Sequence, residues 1–230
     1  MLSNAEYIAP GLIVYRNAFP KDLDLINRLE QILSNESNEN QWRTAKTSRD
    51  GNVQVGKKYR DCSDFKIKKN TGDNLGKSES TLKLEKISED CCRAALNAVK
   101  DYSQHFRLSP LEYWESLNFV KYDQGEYVEV HSDHGYNHIC VLSCVGYIND
   151  DYEGGELFFD KLNLKIKPKA GDLYLYPSTY LYSHASLPIT SGTKYAIVTF
   201  MDYLEAPHTP EYKEIEKKEI AKRQIKSVHD

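Results

Sequence analysis

The chain has 230 residues, of which 40% are hydrophobic and 28% charged, an ordinary globular composition with enough apolar side chains for a substantial core. Its net charge of −4 argues against a chain that binds nucleic acid through its overall field and leaves only a local basic patch for that role. No stretch of 18 apolar residues occurs and Met1 to Gly11 lacks a leader pattern, so no membrane span or signal peptide is expected, and the location expected is cytoplasmic.

In chain order, Leu12 to Arg16 is a short β-prone run. Pro20 and Asp22 then open a helical pattern carrying Leu23, Ile26, Leu29 and Leu33. Between Arg43 and Arg60 lie six basic residues and one acidic one, with Gly51 and Gly56, which reads as a mobile hairpin or loop. A polar connector runs from Lys66 to Ser80. Residues 82–106 follow as a helix, with Leu84, Ile87, Cys91, Ala95, Ala98 or Val99, Tyr102 and Phe106 on one stripe that is expected to back a sheet.

From about 115 to 203 the period changes. Short β-branched and aromatic runs alternate with turn signals: Leu117–Tyr122, Tyr127–His131, Ile139–Ile148, Leu157–Phe159, Leu162–Ile166, Leu173–Tyr176 and Tyr195–Tyr203. Strands this short and this closely spaced predict a sandwich or barrel. A charged helix over 209–228 is expected on the surface. The five cysteines, at 62, 91, 92, 140 and 144, form no CxxC pair, which argues against a zinc ribbon and predicts reduced thiols.

Chemistry enters at His131-Ser132-Asp133. Residues i and i+2 share one face of a strand, so an imidazole and a carboxylate can converge on one point. His184, beyond the run Leu173–Tyr176, can supply a third ligand, and two histidines with one carboxylate form the facial triad of non-haem Fe(II) oxygenases. Taken alone, an HxD is more often an exposed polar turn. Lys194, ten residues past His184 at the head of a β run, adds a cation that can reach past the metal to the far end of a dicarboxylate. By the same alternation His134 and His138 are rim residues, and His105, His208 and His229 lie in helical or terminal segments with no role in the site.

The segment 113–203 resembles the catalytic domain of the prolyl 4-hydroxylase-like Fe(II)/2-oxoglutarate-dependent oxygenases. The residues that carry the resemblance are Tyr122-Asp123-Gln124-Gly125, His131-Ser132-Asp133, Tyr147-Ile148-Asn149, Gly154-Gly155-Glu156-Leu157, Pro168-Lys169-Ala170-Gly171-Asp172, His184 and Ser191-Gly192-Thr193-Lys194. Order and spacing agree over roughly ninety residues. The resemblance implies a mainly β fold with flanking helices (α+β), in which a double-stranded β-helix (a cupin-like jelly roll) is buttressed by N-terminal helices. It implies one oxygenase domain over 1–230, with a helical and loop support region at 1–112, the catalytic core at 113–203 and a charged C-terminal helix at 204–230. It assigns Fe(2+) to His131, Asp133 and His184. The 2-oxoglutarate C5 carboxylate falls to Lys194 with Tyr147, and Tyr122 lies near the co-substrate. O2 is the second co-substrate, ascorbate a candidate reductant, and Arg60 a candidate for the substrate groove.

The substrate implied is a peptidyl residue, proline first, with a small molecule or another peptidyl residue as alternative. The loop 43–60 would close over an extended peptide. Phe200 stands where prolyl 4-hydroxylases often carry tryptophan, a departure that bears on substrate and not on iron. Oxidative nucleic-acid demethylases share this barrel but carry two arginines six apart after the distal histidine; Lys194 and Phe200 occupy those places here. A non-catalytic jelly roll that binds metal as a sensor is the rival outside enzymology, and it would not need Lys194.

Overall fold

Side-chain alternation along short strands decides how this chain layers. The computed structural model describes residues 1–49, 52–54, 58–67, 76–135 and 138–227, with the backbone alone for 47–49, 52–54, 217 and 220–227. Its strands are β1 (Ala5–Ala9), β2 (Leu12–Tyr15), β3 (Arg43–Thr44), β4 (Thr47–Arg49), β5 (Asn52–Gln54), β6 (Arg60–Asp61), β7 (Ser63–Lys66), β8 (Tyr113–Trp114) and β9 (Asn118–Tyr122). They continue with β10 (Tyr127–His131), β11 (Leu142–Tyr147), β12 (Glu153–Gly154), β13 (Leu157–Phe159), β14 (Leu164–Ile166), β15 (Leu173–Pro177), β16 (His184–Ser186), β17 (Ile189–Ser191) and β18 (Lys194–Asp202). The helices are α1 (Leu25–Leu33), α2 (Glu79–His105) and α3 (Pro210–Ser227).

The larger sheet runs β1-β2-β15-β11-β18-β9-β7-β3, with β8 beside β18; the smaller runs β14-β13-β16-β10-β6. All their pairings are antiparallel. At the centre β11 pairs with β15 from Leu142↔Pro177 to Gly146↔Leu173 and with β18 from Leu142↔Met201 to Tyr147↔Ala196. Successive residues of the larger sheet serve two cores. Leu142, Cys144, Leu173, Leu175 and Ile197 face outward onto α1 and α2. Val145, Tyr147, Tyr174, Tyr176 and Ala196 face inward, where they meet Leu157 and Phe159 of the smaller sheet. This is the jelly-roll arrangement of two sheets around one interior, backed by helices.

The long helix forms as its stripe predicts, with Leu84, Ile87, Cys91, Ala95, Ala98, Val99 and Tyr102 all buried, and Ser78 caps its start by accepting from the Thr81 amide at 3.2 Å. In α1 the expected Leu29 and Leu33 are buried, but the helix starts later than expected. Asp24 takes a left-handed φ of 47°, which ends a short 3-10 turn and restarts the helix, so Leu25, Leu29, Ile32 and Leu33 are buried while Leu23 and Ile26 are not. The region upstream of 113 is also richer in strand than a helical and loop support. There β1, β2, β3 and β7 extend the larger sheet and β6 the smaller, because even two-residue edges take ladder partners when a neighbouring strand is open. In the basic stretch, β4 and β5 pair as a hairpin, Thr47 opposite Gln54; residues 50, 51 and 55–57 of the expected lid lie outside the described residues. So do 68–75 of the polar connector and His229. No helix among the described residues is long and apolar enough to cross a membrane.

Candidate active site

The site grows from one cross-strand pair. His131 ends β10 and His184 begins β16, and the two are direct register partners, which sets their rings side by side with centroids 4.6 Å apart. Asp133 lies two residues beyond His131. Its Oδ1 is 3.4 Å from Nε2 of His131 and its Oδ2 is 3.9 Å from Nε2 of His184. One ligand atom from each of the three residues lies within 4.8 Å of the others.

Their other polar atoms are already committed. Nδ1 of His131 sits 2.9 Å from the Glu129 carbonyl and Nδ1 of His184 sits 3.0 Å from the Tyr182 carbonyl. A carbonyl can only accept, so each Nδ1 carries the proton and each Nε2 lone pair is turned inward. Ser143 donates to Oδ2 of Asp133 at 2.6 Å and is itself 2.8 Å from the Ser178 hydroxyl. Burial would raise the Asp133 carboxyl, but His184 and His131 beside it and the Ser143 hydrogen bond hold it below the ordinary range. Burial leaves His184 below its usual value; His131, against its own desolvation, is raised by Asp133. This donor set has the composition of the 2-His-1-carboxylate facial triad and fits a ferrous ion.

A second cluster lies along the same interior. Ser186 shares the inward face of β16 with His184, and its Oγ accepts from Nζ of Lys194, which also donates to the Gly155 carbonyl at 2.9 Å. The Lys194 ammonium is 1% exposed, and among the described residues no carboxylate lies within ion-pairing distance of it. Aromatic rings stand around it instead, with centroids at 4.5 Å (Tyr122), 5.6 Å (Tyr147) and 6.0 Å (Tyr152). Burial and, next, the charge of Lys167 pull its pKa down to about 7. A buried cation held this way is the complement of an anion, and it fits the distal carboxylate of 2-oxoglutarate.

Local motifs fix that lysine. Asn149 donates to the Thr193 carbonyl at 2.8 Å and accepts from the Tyr195 amide at 2.8 Å, clamping the backbone on both sides of Lys194. Gly154 and Gly155 have φ of 72° and 65°, and a Cβ on Gly155 would stand 2.3 Å from Cδ1 of Ile189; only glycine lets this turn approach the lysine.

Arg60 lies opposite Val128 of β10, with Nε directed to Sγ of Cys62 at 3.3 Å and Nη2 paired with Asp64 at 3.1 Å. Its charge opposes protonation of His131, which puts it near the triad without joining it. His134 and His138 are turned into their own loop. Nδ1 of His134 meets the Cys140 carbonyl at 2.7 Å, and His138 bridges Glu115 and the Asp133 carbonyl at 3.0 and 2.9 Å. His208 stacks on Tyr113 at 3.6 Å and bonds Asp202 at 2.9 Å, away from the triad. Sequence reasoning missed Ser143, Ser186, Tyr152 and Tyr176. Ser186 was open to the same i, i+2 rule that paired His131 with Asp133; the others emerge only once the strands are in register.

Fold and site together define a helix-backed jelly roll with a facial-triad donor set and a buried lysine deeper along the same interior. Residues 117–202 match the family model of the 2OG-Fe(II) oxygenase superfamily. A PKHD-type hydroxylase of Prochlorococcus marinus is 29% identical over 161 residues, 63% of this chain and 69% of that protein. A protein of Acanthamoeba polyphaga mimivirus, provisionally named a prolyl 4-hydroxylase, is 32% identical over 106 residues, 37% of this chain; the match spans 44% of its length, less than half of that relative. Among solved structures, a Trichoplax adhaerens prolyl hydroxylase in complex with a hypoxia inducible factor peptide fragment superposes with a TM-score of 0.63 at 14% identity over 83% of each chain, a likeness of fold.

Proposed function

We propose that this chain is an Fe(II)- and 2-oxoglutarate-dependent dioxygenase that hydroxylates a peptidyl residue, proline foremost. Nε2 of His131, Nε2 of His184 and the Asp133 carboxylate would hold the iron, and Lys194 would hold the distal carboxylate of 2-oxoglutarate, with the hydroxyls of Tyr147 and Tyr122 beside it. When bound, iron with 2-oxoglutarate and O2 supplies oxidative decarboxylation to succinate and CO2 coupled to oxygen insertion into a substrate C–H bond. The observation that carries this reading is the buried Lys194 ammonium, without a carboxylate partner among the described residues, reached from the triad along one strand face. His184 and Ser186 are two residues apart, about 7 Å of strand, and Ser186 touches the ammonium. A sensor that merely bound metal would have no use for a desolvated cation at that depth.

The residues divide the work by position. Carbonyls of Glu129 and Tyr182 fix the tautomers of the two imidazoles, and Ser143 fixes the carboxylate. Tyr122 and Tyr147, held by burial well above their ordinary pKa, stay phenols, and their rings flank Lys194. His131 is the exposed member of the triad, 43% accessible at its side chain, so substrate approaches from its side. Arg60, opposite Val128 of β10, would border that approach and contact substrate. A peptidyl prolyl substrate is favoured by the prolyl hydroxylase and PKHD-type relatives.

The test is anaerobic addition of Fe(II) and 2-oxoglutarate, which should develop a visible charge-transfer band, followed by a succinate-release screen over proline-rich peptides, free amino acids and methylated oligonucleotides. A colourless complex would refute the oxygenase reading. Succinate release stimulated by free amino acids or oligonucleotides and by none of the peptides would refute the peptidyl one.

A further inference from the structure

Tyr176 stands on the inward face of β15, fully buried, with its hydroxyl 3.1 Å from Nε2 of His184. Because Nδ1 of that imidazole carries the proton, Nε2 is an acceptor and the phenol is the donor. Its ring packs edge-on against Phe159, centroid to centroid 5.0 Å, which offers the hydroxyl no acceptor. The Nε2 lone pair that Tyr176 uses is the same one a metal ion takes. Ion binding therefore strips the phenol of its partner in a dry interior, where an unmet donor is costly. Asp133, the nearest anion to this phenol, is itself a metal ligand bonded by Ser143, which leaves a group at the open positions of the metal as the new acceptor.

We propose that Tyr176 is a positioning residue for the co-substrate, its hydroxyl passing from Nε2 of His184 to a metal-coordinated oxygen at the keto-acid end of 2-oxoglutarate. This rests on the oxygenase reading above and extends it to the near end of the molecule, as Lys194 serves the far end. Tyr174 and Tyr176 alternate with outward-facing Leu173 and Leu175, so the phenol lies on the same interior wall as Tyr147. A hydrogen bond to an anionic oxygen is stronger than one to a neutral imidazole, and it would select which open position the co-substrate occupies.

Tyr176→Phe keeps the ring and its packing while removing one oxygen. Mn(II) should bind the variant no more weakly than the wild type, since the competing hydrogen bond to His184 is gone. Affinity of the Mn(II)-loaded protein for 2-oxoglutarate should fall about tenfold, and the anaerobic Fe(II)–2-oxoglutarate absorption band should shift in wavelength. An unchanged band with unchanged co-substrate affinity overturns the proposal. So does a loss of Mn(II) and 2-oxoglutarate affinity in equal proportion, the mark of a packing role. Absence of any band in the wild type itself would instead overturn the oxygenase reading on which the proposal stands.

Discussion

The depressed pKa of Lys194 makes co-substrate affinity depend on pH in a calculable way. Buried, and repelled by Lys167, the lysine of the co-substrate-free protein titrates at about 7 instead of 10.5. An anion beside it favours the charged form and restores an ordinary value, so binding takes up the missing proton. Below pH 7 the lysine is already protonated and affinity is flat; above it, affinity falls by close to tenfold per pH unit, about tenfold between pH 6 and 8 and about a hundredfold by pH 9. For stability the sign is opposite. Between pH 7 and 10.5 the unfolded chain binds more protons than the folded one, so the co-substrate-free protein gains stability as pH rises through that window, and below pH 7 the burden of the buried charge is fully present. The assay is calorimetric titration of Mn(II)-saturated protein with 2-oxoglutarate across this range, in buffers of different ionisation enthalpy, with proton uptake approaching one at about pH 8. Lys194→Met should abolish the pH dependence and weaken binding by about a hundredfold or more, because it leaves the distal carboxylate buried without a cation. Affinity that stays flat through this range, or a Met variant that keeps the wild-type slope, would refute the argument.

Removing the Ser143 hydroxyl (Ser143→Ala) frees Oδ2 of Asp133 and should weaken Mn(II) binding about tenfold to a hundredfold, read by metal titration with the melting temperature as a control. Glu30→Ala deletes the acceptor shared by Trp42, Lys121 and Tyr195 at 3.1, 3.2 and 2.7 Å, the link between α1 and the larger sheet. A loss of about 2 kcal/mol is expected in denaturant unfolding, with Mn(II) affinity retained. Gly155→Ala forces a side chain into a left-handed position and against Ile189. It should lower stability by about 1–2 kcal/mol and, because the Gly155 carbonyl anchors Lys194, also lower 2-oxoglutarate affinity; an Ala variant with wild-type affinity would separate the turn from the lysine.

Local pattern made most of the larger sheet legible. The runs around Leu142–Tyr147, Leu173–Pro177 and Lys194–Asp202 are long enough to show period two, and the α2 stripe is long enough to show 3.6. Illegible were pieces two to five residues long whose strand state comes from a neighbour. These include Arg60–Asp61 on β10, Ser63–Lys66 on β9 and the small-residue run His184-Ala185-Ser186 between β13 and β10. The start of α1 was read a few residues early because nothing in the pattern marks Asp24 as a left-handed break. Within the candidate site, His131, Asp133, His184 and Lys194 stand out by residue type and spacing. Tyr176 does not: it is one of 17 tyrosines, and what sets it apart from Tyr174 is that its hydroxyl meets His184 of the facing sheet, whereas that of Tyr174 meets Asp172 two residues earlier.

The two imidazoles belong to adjacent strands whose ladder is interrupted between Val128 and His131. A divalent ion gripped by both would rivet β10 to β16 where the backbone bonds are sparse. Loading should then slow amide exchange in these two strands while leaving the helix-backed sheet indifferent, so that the smaller sheet stiffens around its cargo and the larger serves as a fixed anvil.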